Sequence, residues 1–106
     1  MSQNTATRLV SITNSEGLHL RAARSVADTV RRFESQVCLI KDGERVEATE
    51  VLQMLSLGVA EGEQLSLEAA GRDAEQVIEA LAELFAENFA MHEEDTKKEE
   101  ATDNRP

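Results

Sequence analysis

Residues 15–26 read SEGLHLRAARSV and join two segments that differ in hydrophobic periodicity. Before them, residues 7–13 alternate, with Val10 and Ile12 on one side, which predicts a strand. The letters NSEG then supply turn-forming side chains. From His19 onward the apolar residues recur at helical spacing, so we predict that a helix begins there. This places a histidine at the entrance to the first helix, directly after a glycine-containing turn.

The middle of the chain predicts a hairpin and a short helix. The letters SQVCLIKD indicate a second strand, Asp42 and Gly43 a tight turn, and ERVEA the partner strand. The apolar residues of TEVLQMLS suit a short helix, for which Thr49 is a candidate cap and Gly58 a candidate end.

The last elements complete an α+β domain. Alternation through Leu65 and Leu67 predicts a fourth strand, and Asp73 is placed to open a third helix with Gln76 as its capping-box partner. The order is strand, helix, strand, strand, helix, strand, helix. Each element has one apolar face, which predicts a four-stranded antiparallel sheet with three helices on one face and solvent on the other.

Length and composition indicate one small domain in a reducing compartment. The chain has 106 residues, and its apolar pattern stops after Phe89, so we predict a domain over 1–90 and an acidic, disordered tail over 91–106. Cys38, the only cysteine, allows no internal disulfide, and we expect it to be a small buried hydrophobe. No export signal or membrane-length apolar run is visible, so we expect a cytoplasmic protein without membrane insertion.

Charge argues against one class of partner. The net charge of −10 argues against nucleic-acid binding, which needs lysine and arginine in excess. The predicted first helix, however, contains one acidic residue, Asp28, and four arginines: Arg21, Arg24, Arg31 and Arg32. This basic segment could attract an anion or an acidic partner, or it could be an ordinary solvated helix face.

His19 could be an exposed polar residue or a nucleophile. At a helix start the N–H groups lack intrahelical acceptors and the dipole is positive, which favours a neutral ring and an attached anion such as phosphate. Arg21 could pair with phosphate oxygens. We expect no metal, because the only other histidine is His92 and no ligand spacing is present. We also expect no cofactor, since no glycine-rich phosphate loop occurs.

The motif GLHLRAA resembles the active-site signature Gly-Leu-His-x-Arg-Pro-Ala of HPr, the histidine phosphocarrier of the bacterial sugar phosphotransferase system. The stretch ATEVLQMLSLGVAEGEQLSLEAAG is similar to the family's regulatory helix, the turn after it and its last strand. The resemblance covers about residues 7–89. It implies an open-faced β-sandwich of order βαββαβα, and we expect a monomer.

The resemblance also implies a phosphoryl relay rather than a turnover enzyme. Enzyme I, charged from phosphoenolpyruvate, would phosphorylate Nδ1 of His19, and the A domain of a sugar permease would take the group onward. Arg21 would pair with the phosphoryl group. The apolar positions that match the family's docking residues are Val51, Leu52 and Leu55, and their alternative role is core packing. Arg24 would give electrostatic support to docking.

Two residues depart from the family pattern. Ala22 replaces the proline of the signature and adds one N–H at the helix start. Glu50 stands where many members carry a regulatory serine, so kinase control there should be absent; it could imitate a phosphoserine or be a simple helix-start acid. Two alternatives stay open, and these departures favour only the first. One is an HPr-like regulatory module that signals to kinases, transcription factors or metabolic enzymes. The other is a carrier in a nitrogen or dihydroxyacetone branch of the same system.

Overall fold

The structure, a computed structural model, describes residues 4–89, and the tail predicted over 91–106 lies outside them. Four strands and three helices occur in the predicted order. They are β1 (Thr5–Ser11), α1 (Leu20–Arg31), β2 (Gln36–Lys41), β3 (Glu44–Glu47), α2 (Val51–Ser56), β4 (Gln64–Ala70) and α3 (Ala74–Ala86). The predicted α+β class is confirmed. Strand β1 lies two residues earlier than predicted, because its pairing with β4 already begins at Thr5, opposite Ala70.

The sheet has the strand order β1-β4-β2-β3, and every neighbouring pair is antiparallel. Leu39 of β2 lies opposite Leu67 of β4 on one side and opposite Val46 of β3 on the other. All three side chains are buried, so this register defines the face that the helices cover. The opposite face is open and carries polar groups such as the Arg45–Glu68 ion pair, whose N···O distance is 3.0 Å.

The helices bury the apolar residues that the sequence pattern selects. Helix α1 buries its stripe and packs against α2 and α3, while α3 packs on β1 and β4. The buried members of the two predicted stripes are Ala23, Val26, Ala27 and Val30 in α1, and Val77, Ile78, Leu81, Leu84 and Phe85 in α3. No helix within residues 4–89 is long and apolar enough to cross a membrane.

Two predicted turns are confirmed by backbone geometry. Asp42 and Gly43 have φ values of 52° and 82°, the positive pair that a two-residue hairpin turn needs. Gly58 has φ 65° just after α2, and its N–H donates to the Leu55 carbonyl at 3.1 Å, as expected for the residue that ends a helix.

The predicted cap of α2 was wrong, whereas the predicted cap of α3 has the right position but makes no capping contact with its side chain. The N-cap of α2 is Glu50 rather than Thr49, and its side chain makes no capping hydrogen bond. Asp73 is the N-cap of α3, but its carboxylate does not cap the helix either. Instead, it accepts hydrogen bonds from the backbone N–H groups of Glu34 and Ser35, each at 2.9 Å, and so ties α3 to the loop before β2.

Cys38 also differs from its prediction. It is half-buried and lies on the open face of the sheet, because its neighbours Val37 and Leu39 take the two core positions of this part of β2. There it lines a groove with Arg45 and Glu68.

Candidate functional site

The turn before α1 requires glycine at position 17. Gly17 has φ +67°, and a Cβ atom there would collide with the carbonyl oxygen of Val59. The same carbonyl accepts the Leu18 N–H at 3.0 Å. The Leu18 side chain is buried in the core, so the loop is held by a backbone hydrogen bond and an apolar anchor directly before His19.

His19 is the N-cap of α1. Its backbone is extended, with φ −87° and ψ −179°, and its carbonyl accepts the Ala23 N–H at 2.8 Å. Its side chain also caps the helix, because Nδ1 accepts the Ala22 N–H at 3.2 Å. An amide N–H can only donate, so Nδ1 carries no proton in this arrangement and its lone pair points toward the helix start.

Two further side chains contact the imidazole of His19. The Oε1 atom of Glu16 lies 3.5 Å from Nε2. The ring of Phe89 meets the imidazole in an edge-on arrangement, with centroids 6.3 Å apart and an interplanar angle of 76°. Together with the Ala22 amide, these contacts leave the imidazole side chain 20% exposed, which orients the ring while keeping it accessible.

Phe89 reaches His19 through an unusual backbone path. Asn88 and Phe89 follow the end of α3 with φ values of 55° and 63°, a backbone region that residues other than glycine rarely occupy. The Phe89 N–H donates to the Leu84 carbonyl at 2.8 Å, and Asn88 contacts the Thr13 hydroxyl at 2.5 Å. The chain therefore folds back over the end of α3 and buries Phe89 beside the histidine.

The predicted basic residues lie on the exposed side of α1. Arg21 occupies the first turn, two residues after His19, and Arg24 lies three residues further on, the spacing of neighbours on a helix surface. Both side chains are exposed. The first helical turn thus combines positively charged side chains with N–H groups that have no intrahelical acceptor.

The predicted docking residues of α2 separate into two groups. Val51 and Leu55 are half-buried and pack against the core, whereas Leu52 is 78% exposed. Leu20, which directly follows His19, is 54% exposed and was missed by the sequence analysis. Its position off the buried stripe of α1 was the available signal. Glu50 is exposed at the start of α2.

The arrangement can accept an anionic group on an unprotonated ring nitrogen. The nitrogen lies at a helix N-terminus, where the partial positive charge of the N–H groups stabilises negative oxygen atoms. Within residues 4–89 no group of three or more His, Cys, Asp or Glu side chains is placed to hold a metal ion.

Fold and site together define a small carrier domain with a histidine at the start of its first helix. Residues 6–87 match the family model described as PTS HPr component phosphorylation site. The chain belongs to the HPr family of phosphocarrier proteins, and such proteins are carriers rather than turnover enzymes.

Relatives match over most of the domain. The chain is 35% identical over 86 residues to phosphocarrier protein NPr of Escherichia coli (strain K12), covering 80% of this chain and 96% of that one. Phosphocarrier protein HPr of Xylella fastidiosa (strain Temecula1) is 31% identical over 80 residues, with coverages of 76% and 90%. The crystal structure of HPr-C-His from Thermoanaerobacter tengcongensis superposes with a TM-score of 0.77 at 35% identity, covering 80% and 96% of the two chains.

Proposed function

We propose that this protein accepts a phosphoryl group from Enzyme I on Nδ1 of His19 and passes it to the A domain of a sugar permease. The observation that carries the proposal is that this nitrogen carries no proton and accepts a hydrogen bond. Nδ1 is an unprotonated hydrogen-bond acceptor at the N-terminus of α1, on a ring held by Glu16 and Phe89. A lone pair in this position is what a nucleophilic attack on phosphorus requires.

Arg21 and the first-turn amides would stabilise the transferred group. The phosphoryl group brings negative oxygen atoms to a helix end whose N–H groups and dipole favour them. Arg21, an exposed residue, supplies fixed positive charge in the same turn, and a guanidinium group has the geometry to pair with two oxygens of a phosphoryl group. Neither contribution needs a cofactor.

The docking surface combines exposed apolar side chains with positive charge. Leu20 and Leu52 are the mostly exposed leucines of α1 and α2, two helices that pack against each other, and Val51 and Leu55 support the α2 side from their half-buried positions. Arg24 adds positive charge on α1. Apolar contact would give affinity and the arginines would orient an acidic partner.

Three further expectations belong to this proposal. Glu50 has no hydroxyl, so serine-kinase control at that position is absent. We expect a monomer, because the same surface must meet two partners in turn. We expect the protein in the cytoplasm, where Enzyme I would charge it.

The test is phosphoryl transfer from Enzyme I and phosphoenolpyruvate, followed by intact mass. The wild type and the matched control His92→Ala should each gain one phosphoryl group that is lost in acid, and His19→Ala should gain none. A phosphoryl group on His19→Ala, or one that survives acid, would overturn the assignment.

A regulatory module is the second candidate, and Glu50 favours it. Glu50 is exposed and places a negative charge at the start of α2, next to Val51 of the docking surface. Under this alternative, the phosphorylated protein would transfer its group to no permease A domain, but would bind a kinase, transcription factor or metabolic enzyme differently from the unphosphorylated protein. Transfer to a panel of A domains separates the two.

A further inference from the structure

The backbone amide of Ala22 contacts the nitrogen atom on which the proposed reaction takes place. Ala22 lies three residues after His19, and its N–H donates to Nδ1 over 3.2 Å. Because it belongs to the first helical turn, this N–H has no intrahelical acceptor. The Ala22 methyl group is fully buried, so the residue is fixed in place by the core while its amide faces the histidine.

We propose that the Ala22 amide acts as a donor in both states of the carrier: it holds Nδ1 before transfer and binds a phosphoryl oxygen afterwards. This inference rests on the proposed function of His19. A proline at position 22 has no N–H and could serve in neither state. The alanine therefore adds a functional backbone group that the family signature, with its proline, excludes.

Before transfer, the amide fixes the form of the ring. Nδ1 accepts the Ala22 N–H, so the ring proton of the neutral imidazole lies on Nε2. The Oε1 atom of Glu16 lies 3.5 Å from Nε2, close enough for its negative charge to favour a proton on that nitrogen. The two contacts select the form in which Nδ1 carries the lone pair and Nε2 carries the proton.

During transfer, this hydrogen bond must open. No phosphorus atom fits between two nitrogen atoms 3.2 Å apart, so the imidazole has to turn away from the amide before attack. The Nδ1 lone pair then forms the bond to phosphorus, and the bond between phosphorus and the donor breaks with its electron pair leaving on the donor. Nε2 keeps its proton, and the Glu16 carboxylate offsets the positive charge that develops on the ring.

After transfer, Nδ1 has no lone pair left to accept, and the Ala22 N–H becomes available to a phosphoryl oxygen. A hydrogen bond to a charged oxygen is about twice as strong as one between neutral groups. The exchange therefore favours the phosphorylated state, by a factor of about five if the neutral bond is of ordinary strength.

The experiment compares two variants. Ala22→Pro removes the N–H and keeps a Cβ atom, whereas Ala22→Gly keeps the N–H and removes the buried methyl group. Each variant is equilibrated with Enzyme I at a fixed ratio of phosphoenolpyruvate to pyruvate, and the phosphorylated fraction is measured. We expect the equilibrium constant for phosphorylation to fall about five-fold in Ala22→Pro relative to Ala22→Gly. Equal constants in the two folded variants would overturn the proposal.

Amide NMR gives a second readout on the wild type that does not depend on a variant folding. In the phosphorylated protein, the Ala22 amide proton should stay protected from exchange with water and show a coupling to phosphorus. A freely exchanging, uncoupled Ala22 amide in the phosphorylated protein would contradict the proposal. Failure of the function itself is distinguishable, because His19 would then carry no phosphoryl group at all.

Discussion

Replacing Gly17 with alanine should destabilise the protein more than replacing another glycine of similar positive φ with alanine. Gly17→Ala places a side chain at φ +67°, which costs about 1–2 kcal/mol for a left-handed residue. The added Cβ also displaces the Val59 carbonyl, and with it the hydrogen bond from Leu18, worth about 1 kcal/mol more. We expect a total loss of roughly 2–3 kcal/mol in the free energy of unfolding.

Gly58 provides a matched control. Its φ of +65° is nearly the same, but a Cβ there would meet nothing within 4 Å. Gly58→Ala should therefore cost only the backbone strain, about 1–2 kcal/mol. Urea unfolding of the two variants measures the difference directly. Equal losses would refute the reasoning, because they would show that the close approach of Gly17 to Val59 adds nothing to the cost of the substitution.

Two further substitutions probe the fold and the docking surface. Hydrogen bonds from Ser35 and from the Glu34 backbone hold the pKa of Asp73 below its ordinary value of 3.8, so their stabilisation is present above that pH and is lost as the pH falls through the lowered pKa. Asp73→Asn should therefore lower the thermal midpoint of unfolding at neutral pH and have little effect on it in strong acid. A decrease in the midpoint that is the same at both pH values would contradict this prediction. Leu52 is 78% exposed, so Leu52→Ala should change the free energy of unfolding by less than about 0.5 kcal/mol. It should nevertheless raise the KM of Enzyme I for the protein, and an unchanged KM would remove Leu52 from the docking surface.

The fold was predictable because local patterns and tertiary packing agree. The helical spacing of α1 and α3 selects side chains that are buried, and the Asp42-Gly43 turn sets the β2–β3 register. Asp73 shows where this agreement ends. From the sequence it is a helix cap, but its carboxylate is used by backbone donors 38 and 39 residues away, which no local pattern can reveal.

The site was predictable only in part. The position of His19 at a helix start follows from the change in periodicity, but the contact between its Nδ1 atom and the Ala22 N–H was not predicted. Phe89 did not follow, because its ring reaches His19 only through two residues with positive φ after α3. The exposure of Leu52 beside half-buried Val51 and Leu55 likewise depends on how a six-residue helix sits on its neighbours.

The most direct test of the central claim is to identify the nitrogen atom that receives the phosphoryl group. The protein is labelled with nitrogen-15 in its histidine rings, phosphorylated by Enzyme I and phosphoenolpyruvate, and examined by NMR for coupling between phosphorus and each ring nitrogen. Our account predicts coupling to Nδ1 of His19. Coupling to Nε2 of His19, or to a nitrogen of His92, would contradict it.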